Sequence, residues 1–432
     1  MKKYLNSISA FQFYQLARYS TLVLIGVVFT KTTLSQQEIG EYETFIFIAG
    51  AISFFWLNGL MKALLPLTVD KGNSKTALFS AFVLISLFSI LAAVVLLLLR
   101  PFFTEFLLNG KPIPELKWLL GYLVFGVPAH IVEYFYLVKK KNTSLVLYAV
   151  VSFSIQLVLV VIPAILNQPV AVVLKGFVVS AVLRYIWLWG LFFYFREIHF
   201  SATFIKSHLK LGAPLVAATF LSGSAQFIDG FIVTSRFDES TFAVFRYGAR
   251  ELPLAMLLAN ALSSAMLPEF AQKENLQENL ISLKKNVSRL MHFLFPVTAL
   301  LLLISHPLFP VLFNPRFEKS ATIFNIYLLL VISRLLMPQT ILNGLKHTGE
   351  IMQASFFELV LNVSLSLFFV QFWGIAGIAF ATVIAYLFEK VYLILAVKRK
   401  LNIRLPDYLP LRYFMIYSLG ILVIFIFAEV LF

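Results

Sequence analysis

Apolar residues gather into runs of about twenty that recur along the whole chain, separated by short polar segments. Each run is long enough to cross a bilayer core of about 30 Å as a helix. Thirteen such spans can be placed, at approximately 10–30, 43–67, 77–99, 118–138, 143–166, 170–195, 210–235, 242–267, 288–312, 320–340, 351–371, 374–397 and 411–431. The pattern predicts an all-α polytopic membrane protein with about 13 transmembrane helices, within a range of 12–14. The first span is too long for the core of a secretory signal and lacks a small-residue cleavage pattern. An uncleaved chain is therefore expected.

The polar segments set the orientation. With the N-terminus inside, the inner segments carry 18 Lys and Arg from Lys2 to Arg404. The outer ones carry seven: Lys31, Arg100, Lys111, Lys117, Arg236, Arg316 and Lys319. Basic residues accumulate on cytoplasmic loops, so a cytoplasmic N-terminus in a cell inner (plasma) membrane is expected. The longest outer loop spans 100–117 and the longest inner one 268–287, too short for a soluble catalytic lobe. A basic linker from Arg196 to Lys210 divides the chain. Six spans precede it and six follow before the thirteenth, the two sets having the same topology, as in parallel repeats. The expected organisation is an N-terminal six-helix lobe (1–200), a C-terminal six-helix lobe (201–400) and an inner linker with an additional transmembrane helix (401–432), the two lobes surrounding a central cavity.

Composition agrees with the pattern. Of 432 residues, 60% are hydrophobic, 13% are charged, 46 are Phe and none is Cys. Soluble globular chains carry about 25% charged residues, and a soluble enzyme, a disordered chain and a fibrous protein are excluded. The absence of Cys removes disulfides, thiolate metal sites and Cys nucleophiles. The net charge of +14 reads as loop excess and not as a nucleic-acid surface.

The informative residues are charges inside the spans, where one charge costs roughly 2.5–3.5 kcal/mol on insertion scales. Thirteen stand out: Arg18, Lys62, Glu133, Lys175, Arg184, Asp229, Arg246, Arg250, Glu251, Arg334, Glu358, Glu389 and Lys390. Counted from the turn near 238, Asp229 lies between Arg246 and Arg250 in depth. These residues make either an ion pair closing the hairpin or a polar cavity wall that also includes Gln226. Arg334 and Glu358 lie equally far from the turn near 346, which suggests a second pair. Glu389, Lys390, Glu133 and Lys62 lie near inner helix ends, where snorkelling is expected. Arg18, between Gln15 and Ser20, has no acid at matching depth on the second span. Arg184 has Gln156 on the neighbouring span but no carboxylate. Each of these two arginines either faces an interior cavity or pairs with a distant helix. Eight of the thirteen are basic and five acidic, a balance that suits an anionic cargo, because Arg offers phosphate oxygens a planar fork.

Several chemistries lack their motifs. The chain has no GxxxxGK[ST], no HExxH and no GxSxG, and its six His have no metal-ligand spacing. Gly374, Gly377 and their small neighbours fit close helix packing.

The stretch Ser224–Thr234 followed by Phe242–Arg250 resembles the start of the second half of polysaccharide flippases. Ala265–Glu269 is similar to the end of the helix that follows, Leu312–Ala321 to the segment between helices nine and ten, and Gly374–Thr382 to the start of helix twelve. The family is the polysaccharide, or oligosaccharide-lipid, flippase branch of the multidrug/oligosaccharidyl-lipid/polysaccharide (MOP) exporter superfamily. One departure is visible: Asp229 is followed by Gly230, where the family often has Arg. The resemblance implies a transporter and not an enzyme. It implies flipping of an undecaprenyl-diphosphate-linked oligosaccharide (an O-antigen, lipopolysaccharide, capsule or exopolysaccharide unit) across the cytoplasmic membrane by alternating access. Arg18, Arg184, Arg246, Arg250 and Gln226 are the candidate substrate-binding residues, and Asp229, Arg334 and Glu358 the ion-coupling or structural pairs. No metal or cofactor is implied, and coupling to a proton or sodium gradient is common in the superfamily. Implied partners are the lipid-linked oligosaccharide, membrane lipids and the polymerase and glycosyltransferases of glycan assembly, with no nucleic acid.

Three rivals define what would differ. A multidrug exporter of the same superfamily would place a carboxylate on the first helix, where this chain has Arg18. A lipid-II flippase would be longer, with fourteen helices. A membrane glycan polymerase or ligase would need a sizeable outer loop.

Overall fold

The structure is a computed structural model and describes residues 7–69, 76–249, 253–271, 275–345 and 347–431. Among these residues every regular element is helical. In order they are α1 (Ser7–Thr30), α2 (Gln36–Val69), α3 (Ala77–Leu98), α4 (Leu116–Val138), α5 (Asn142–Ile165), α6 (Val170–Phe195), α7 (Ala202–Gly223), α8 (Ala225–Arg236), α9 (Glu239–Gly248), α10 (Pro253–Ala271), α11 (Leu276–Leu312), α12 (Lys319–Arg334) and α13 (Pro338–Gly344). A further helical run, Thr348–Leu401, divides at Gly374 into α14 (348–373) and α15 (375–401), and α16 covers Leu411–Leu431. Among the described residues nine helical runs are long and apolar enough to cross a membrane, with Thr348–Leu401 counted once, or ten when the bent pair α12 and α13 is one span.

In their described residues all thirteen sequence spans fall on these helices, and the remaining difference in count comes from breaks inside spans and from Thr348–Leu401 counting as one run. The seventh span is α7 plus α8, interrupted at Ser224. The eighth covers α9 and α10, with residues 250–252 between them outside the described residues, and the tenth is α12 plus α13, bent by 48°. That bend follows from local chemistry. Met337 is left-handed (φ 52°), and Pro338 opens α13, at the first helical turn where its missing N–H costs nothing. The run Thr348–Leu401 has 54 residues, too long for one crossing at 1.5 Å per residue. Gly374 (φ 55°, ψ −136°) takes a conformation that side chains oppose and folds the run back on itself. At Gly377 an added Cβ would lie 2.4 Å from the Phe369 carbonyl oxygen, so the two arms approach through backbone, as expected from the small residues there.

The described chain divides into two compact units, Met1–Gly223 with Thr234–Ala243, and Ser224–Val233 with Val244–Phe432. The sequence expectation drew its boundary at 200. Helix α7 instead belongs to the first unit, where it packs along α2: His208 contacts the Leu60 carbonyl at 2.8 Å and Lys62 donates to Thr219 at 3.2 Å. Aromatic side chains fill this unit, among them Tyr14, Phe29, Tyr42, Phe45, Tyr148 and Phe192, all buried. In the second unit a core of Met266, Phe270, Leu283, Val287, Leu294, Ile341, Leu393 and Tyr408 links α10, α11, α13 and α15 to the turn before α16. Large apolar side chains such as Leu98, Leu147, Ile186, Phe293 and Val423 point outward. A surface so apolar requires hydrocarbon around it.

Candidate functional site

Each unit holds a buried polar cluster among its described residues. In the first, α1, α4, α5 and α6 contribute. The Arg184 guanidinium donates to the Gln156 side-chain oxygen and lies 5.4 Å from the centre of the Phe153 ring. Tyr14 stacks on Tyr148 at 6.1 Å and meets Phe153 at 5.3 Å. Glu133 is buried, with one carboxylate oxygen 3.5 Å from His130 Nδ1 and the other without a partner among the described residues. Tyr14 lies within electrostatic reach of Arg18, Arg184 and Glu133 together. A π turn over Tyr122–Gly126 and a 3-10 turn over Pro128–His130 interrupt α4 just before Glu133, and such interruptions accumulate at functional positions.

Arg18 behaves differently from Arg184. It is half-buried in the middle of α1 and makes no hydrogen bond or ion pair among the described residues. Its nearest electrostatic companions are Tyr14, Glu133, Tyr122 and Tyr134. The cluster therefore holds two guanidinium groups against one carboxylate, and one of the two is uncommitted. That arrangement can accept an anion.

In the second unit the cluster is built on Asp229 of α8. Tyr327 of α12 donates to its carboxylate at 2.6 Å and Thr382 of α15 at 2.5 Å. Asn362 of α14 donates to Thr382 at 2.9 Å. Glu358, one turn before Asn362, is buried and forms no hydrogen bond or ion pair among the described residues. Further along the hairpin, Glu389 and Lys390 pair at 2.7 Å, and Gln339 of α13 bridges both, donating to Glu389 at 2.9 Å and accepting from Lys390 at 2.7 Å.

These contacts correct several expectations. Asp229 takes hydroxyl donors and not Arg246, because matched depth in a hairpin fixes height but not which neighbour a side chain faces. Arg250, Glu251 and the Gln226 side chain lie outside the described residues. Arg334 and Glu358 do not pair: Arg334 lines a cavity among α10, α11 and α12, and Glu358 lies within reach of Asp229, Glu389 and Lys390. Glu389 and Lys390 do not snorkel but are 5% and 7% exposed, and Glu133 is 3% exposed. Arg18 and Arg184 do meet in one cluster.

Residues 33–322 match the family described as "Polysaccharide biosynthesis protein". The chain belongs to this family. Its description agrees with the polysaccharide-flippase resemblance of the motifs around Asp229 and Arg246. Solved structures agree on the fold of this polysaccharide biosynthesis protein. A lipid II flippase, MurJ, in an inward closed conformation is 18% identical over 97% of this chain and 93% of that chain, with a TM-score of 0.70. An inward-facing multidrug-resistance MATE transporter of the MOP superfamily is 13% identical over 92% and 98%, with a TM-score of 0.65. A mutant of the Vibrio cholerae MATE transporter VcmN is 14% identical over 92% and 97%, with a TM-score of 0.58. Curated proteins return no sequence match.

Sequence reading of this family member missed His130, Tyr14, Tyr327 and Thr382. A usable signal existed for one of them. Thr382 lies eight residues after the turn at Gly374 and Asn362 twelve before it, about one helical turn apart in depth on two antiparallel arms. Tyr327 had no comparable signal, since Tyr in an apolar helix is ordinary.

Proposed function

We propose that the protein is a flippase that carries an undecaprenyl-diphosphate-linked oligosaccharide, an O-antigen, capsule or exopolysaccharide unit, across the cytoplasmic membrane by alternating access. The observation that carries this reading is Arg18. It is a mid-helix guanidinium with no hydrogen-bond or ion-pair partner among the described residues, in a chain whose family serves polysaccharide biosynthesis. An intramembrane arginine is costly unless something compensates it. A diphosphate does so, and the fork geometry of Arg favours phosphate oxygens. Arg184, held by Gln156, supplies a second guanidinium nearby. The multidrug reading is disfavoured by the absence of any carboxylate from the first half of α1, where Arg18 stands.

Asp229 and Glu358 are proposed as the ion-coupling residues. Both are buried carboxylates within electrostatic reach of each other. Asp229 is surrounded by Tyr327, Thr382 and Asn362, oxygen-bearing or amide groups suited to a proton or a sodium ion. The orientation proposed is a cytoplasmic N-terminus in the inner membrane, with glycan polymerase and glycosyltransferases as working partners.

The direct experiment is complementation. In a strain lacking its own oligosaccharide flippase, expression of this chain should restore surface glycan. Restored resistance to cationic drugs without glycan would instead indicate the multidrug reading.

A further inference from the structure

Within the second unit, α11 and α16 lie side by side in a fixed register. Lys284 donates to the Pro406 carbonyl oxygen at 2.6 Å, Phe295 stacks on Tyr417 at 5.2 Å, and His306 meets Glu429 at 3.1 Å. In each contact the partners are 122 or 123 positions apart. From the first contact to the last the helices rise about 33 Å, the thickness of a bilayer core. The Lys284 contact therefore lies at one membrane surface. On the orientation proposed above that surface is cytoplasmic.

At this end Lys285, Arg289 and His292 form a ridge on α11, each exposed and about one turn from the next. The ridge runs along the seam with α16, because the His292 ring lies 5.3 Å from Tyr413 and 5.6 Å from Tyr417. His292 Nδ1 donates to the Ser288 carbonyl oxygen at 2.7 Å, which holds the ring there. Neither Lys285 nor Arg289 has a hydrogen bond or ion pair among the described residues. No Asp or Glu occurs on α11 after Glu278 or on α16 before Glu429, and Arg412 adds a further exposed cation to the first turn of α16. Asp407, before α16, accepts the Arg404 backbone N–H at 2.7 Å. Deeper along the pair, Phe293, Met415 and Leu419 are exposed and apolar. Basic helix ends by themselves report topology. This seam adds aromatic rings at headgroup depth and an apolar surface continuous with the cations.

We infer that the α11–α16 seam is a binding site for an anionic glycerophospholipid of the surrounding leaflet. Lys285 and Arg289 take the headgroup phosphate, Tyr413 and His292 border it, and an acyl chain follows Phe293. Basic pockets between membrane helices hold anionic headgroups in this way, and Arg matches phosphate oxygens with two donors. The site owes nothing to Arg18 or to the nature of the cargo.

The chain has no Cys, so Phe293→Cys places a single thiol one turn from Arg289, where it can carry a bimane label. Val158→Cys, exposed in the middle of α5, is the control. The labelled full-length protein is placed in phosphatidylcholine nanodiscs that contain an equal fraction of either phosphatidylglycerol or phosphatidylcholine brominated on the acyl chains. Quenching of the label reads which lipid sits beside it. A basic residue near an anionic headgroup is worth roughly a fivefold preference. Phosphatidylglycerol should therefore be favoured roughly twentyfold beside Phe293→Cys and not at all beside Val158→Cys. Adding Arg289→Gln should lower the preference roughly fivefold, and adding Lys285→Gln as well should abolish it, whereas Arg289→Lys should retain most of it. Equal quenching by the two lipids overturns the assignment, as does a preference that survives the double change or appears equally at Val158→Cys. Glycerol phosphate and farnesyl phosphate should leave the brominated phosphatidylglycerol in place. Displacement by glycerol phosphate would mean a site for free phosphate, and displacement by farnesyl phosphate a site for isoprenyl lipids; either overturns the assignment. The readout involves no transport, so its failure leaves glycan complementation standing, and failed complementation leaves the lipid site standing.

Discussion

Thr382 and Asp229 are 153 positions apart in the chain, and the threonine hydroxyl donates to the buried carboxylate at 2.5 Å. This bond ties α8 to α15, and the Tyr327 bond ties α8 to α12. A carboxylate held by two hydroxyls can exchange a bound cation or proton without losing its position. Asp229→Asn, nearly the same shape, is expected to accumulate to the parent level while transport no longer responds to the proton or sodium gradient. Thr382→Val should weaken the assembly by about 1.5–3 kcal/mol, the value of a hydrogen bond to a charged group. Transport into reconstituted vesicles with and without an imposed gradient reads the first effect, and thermal unfolding in detergent reads the second. A gradient response that survives in Asp229→Asn would contradict the coupling role.

The Glu389–Lys390 pair makes a separate prediction about stability. Both side chains are buried and share Gln339. Lys390→Met leaves Glu389 charged in the interior, and breaking such a pair costs about 3–5 kcal/mol. The double change Glu389→Gln with Lys390→Met should cost less than Lys390→Met alone. Unfolding midpoints of the parent, Glu389→Gln, Lys390→Met and the double mutant decide this; a double mutant as damaged as the sum of the singles would mean the residues act independently.

The hairpin at Gly374 is tested by its glycines. Gly377→Val puts a side chain where even a Cβ lies 2.4 Å from the Phe369 carbonyl oxygen, and overpacking of this kind costs about 1–3 kcal/mol. Gly420, in α16, has nothing within 4 Å of an added Cβ. Gly420→Ala should be neutral or stabilising by up to about 1 kcal/mol, since Ala is the better helix former. Protein yield and unfolding temperature should separate the two substitutions.

Much of the fold was legible in the sequence because the bilayer imposes it. A stretch near twenty apolar residues has one economical outcome in hydrocarbon, so all thirteen spans fall on helices in their described residues. Breaks within spans were not legible. Ser224 carries no special signal, and Pro338 alone does not announce the left-handed Met337 before it. For the clusters, residue type was informative and pairing was not. Arg18 and Arg184 stood out because charge in a span is rare. Asp229 was rightly singled out but given the wrong neighbours, because hydropathy fixes depth and leaves rotation about the helix axis undetermined. Tyr327 and Thr382, which face Asp229, are uncharged and so carried no warning.

Orientation follows from the loop charges and can be tested without any transport assay. Reporters fused after Lys141, Lys210 or Lys400 should lie in the cytoplasm, and those after Lys111 or Arg316 outside. The basis is the asymmetry of 18 inner against seven outer basic residues. The opposite result at two or more sites would invert the helix map.

The central claim is that Arg18 holds the diphosphate of the cargo. The most direct measurement is surface glycan display in a strain lacking its own flippase, made alongside membrane protein level, for Arg18→Ala and Arg18→Lys. Both proteins should accumulate normally, because Arg18 makes no hydrogen bond or ion pair among the described residues whose loss would strand a partner. Arg18→Ala should abolish display, and Arg18→Lys should restore little of it, since an ammonium offers a point charge in place of a fork. Normal glycan display from abundant Arg18→Ala protein would contradict the claim.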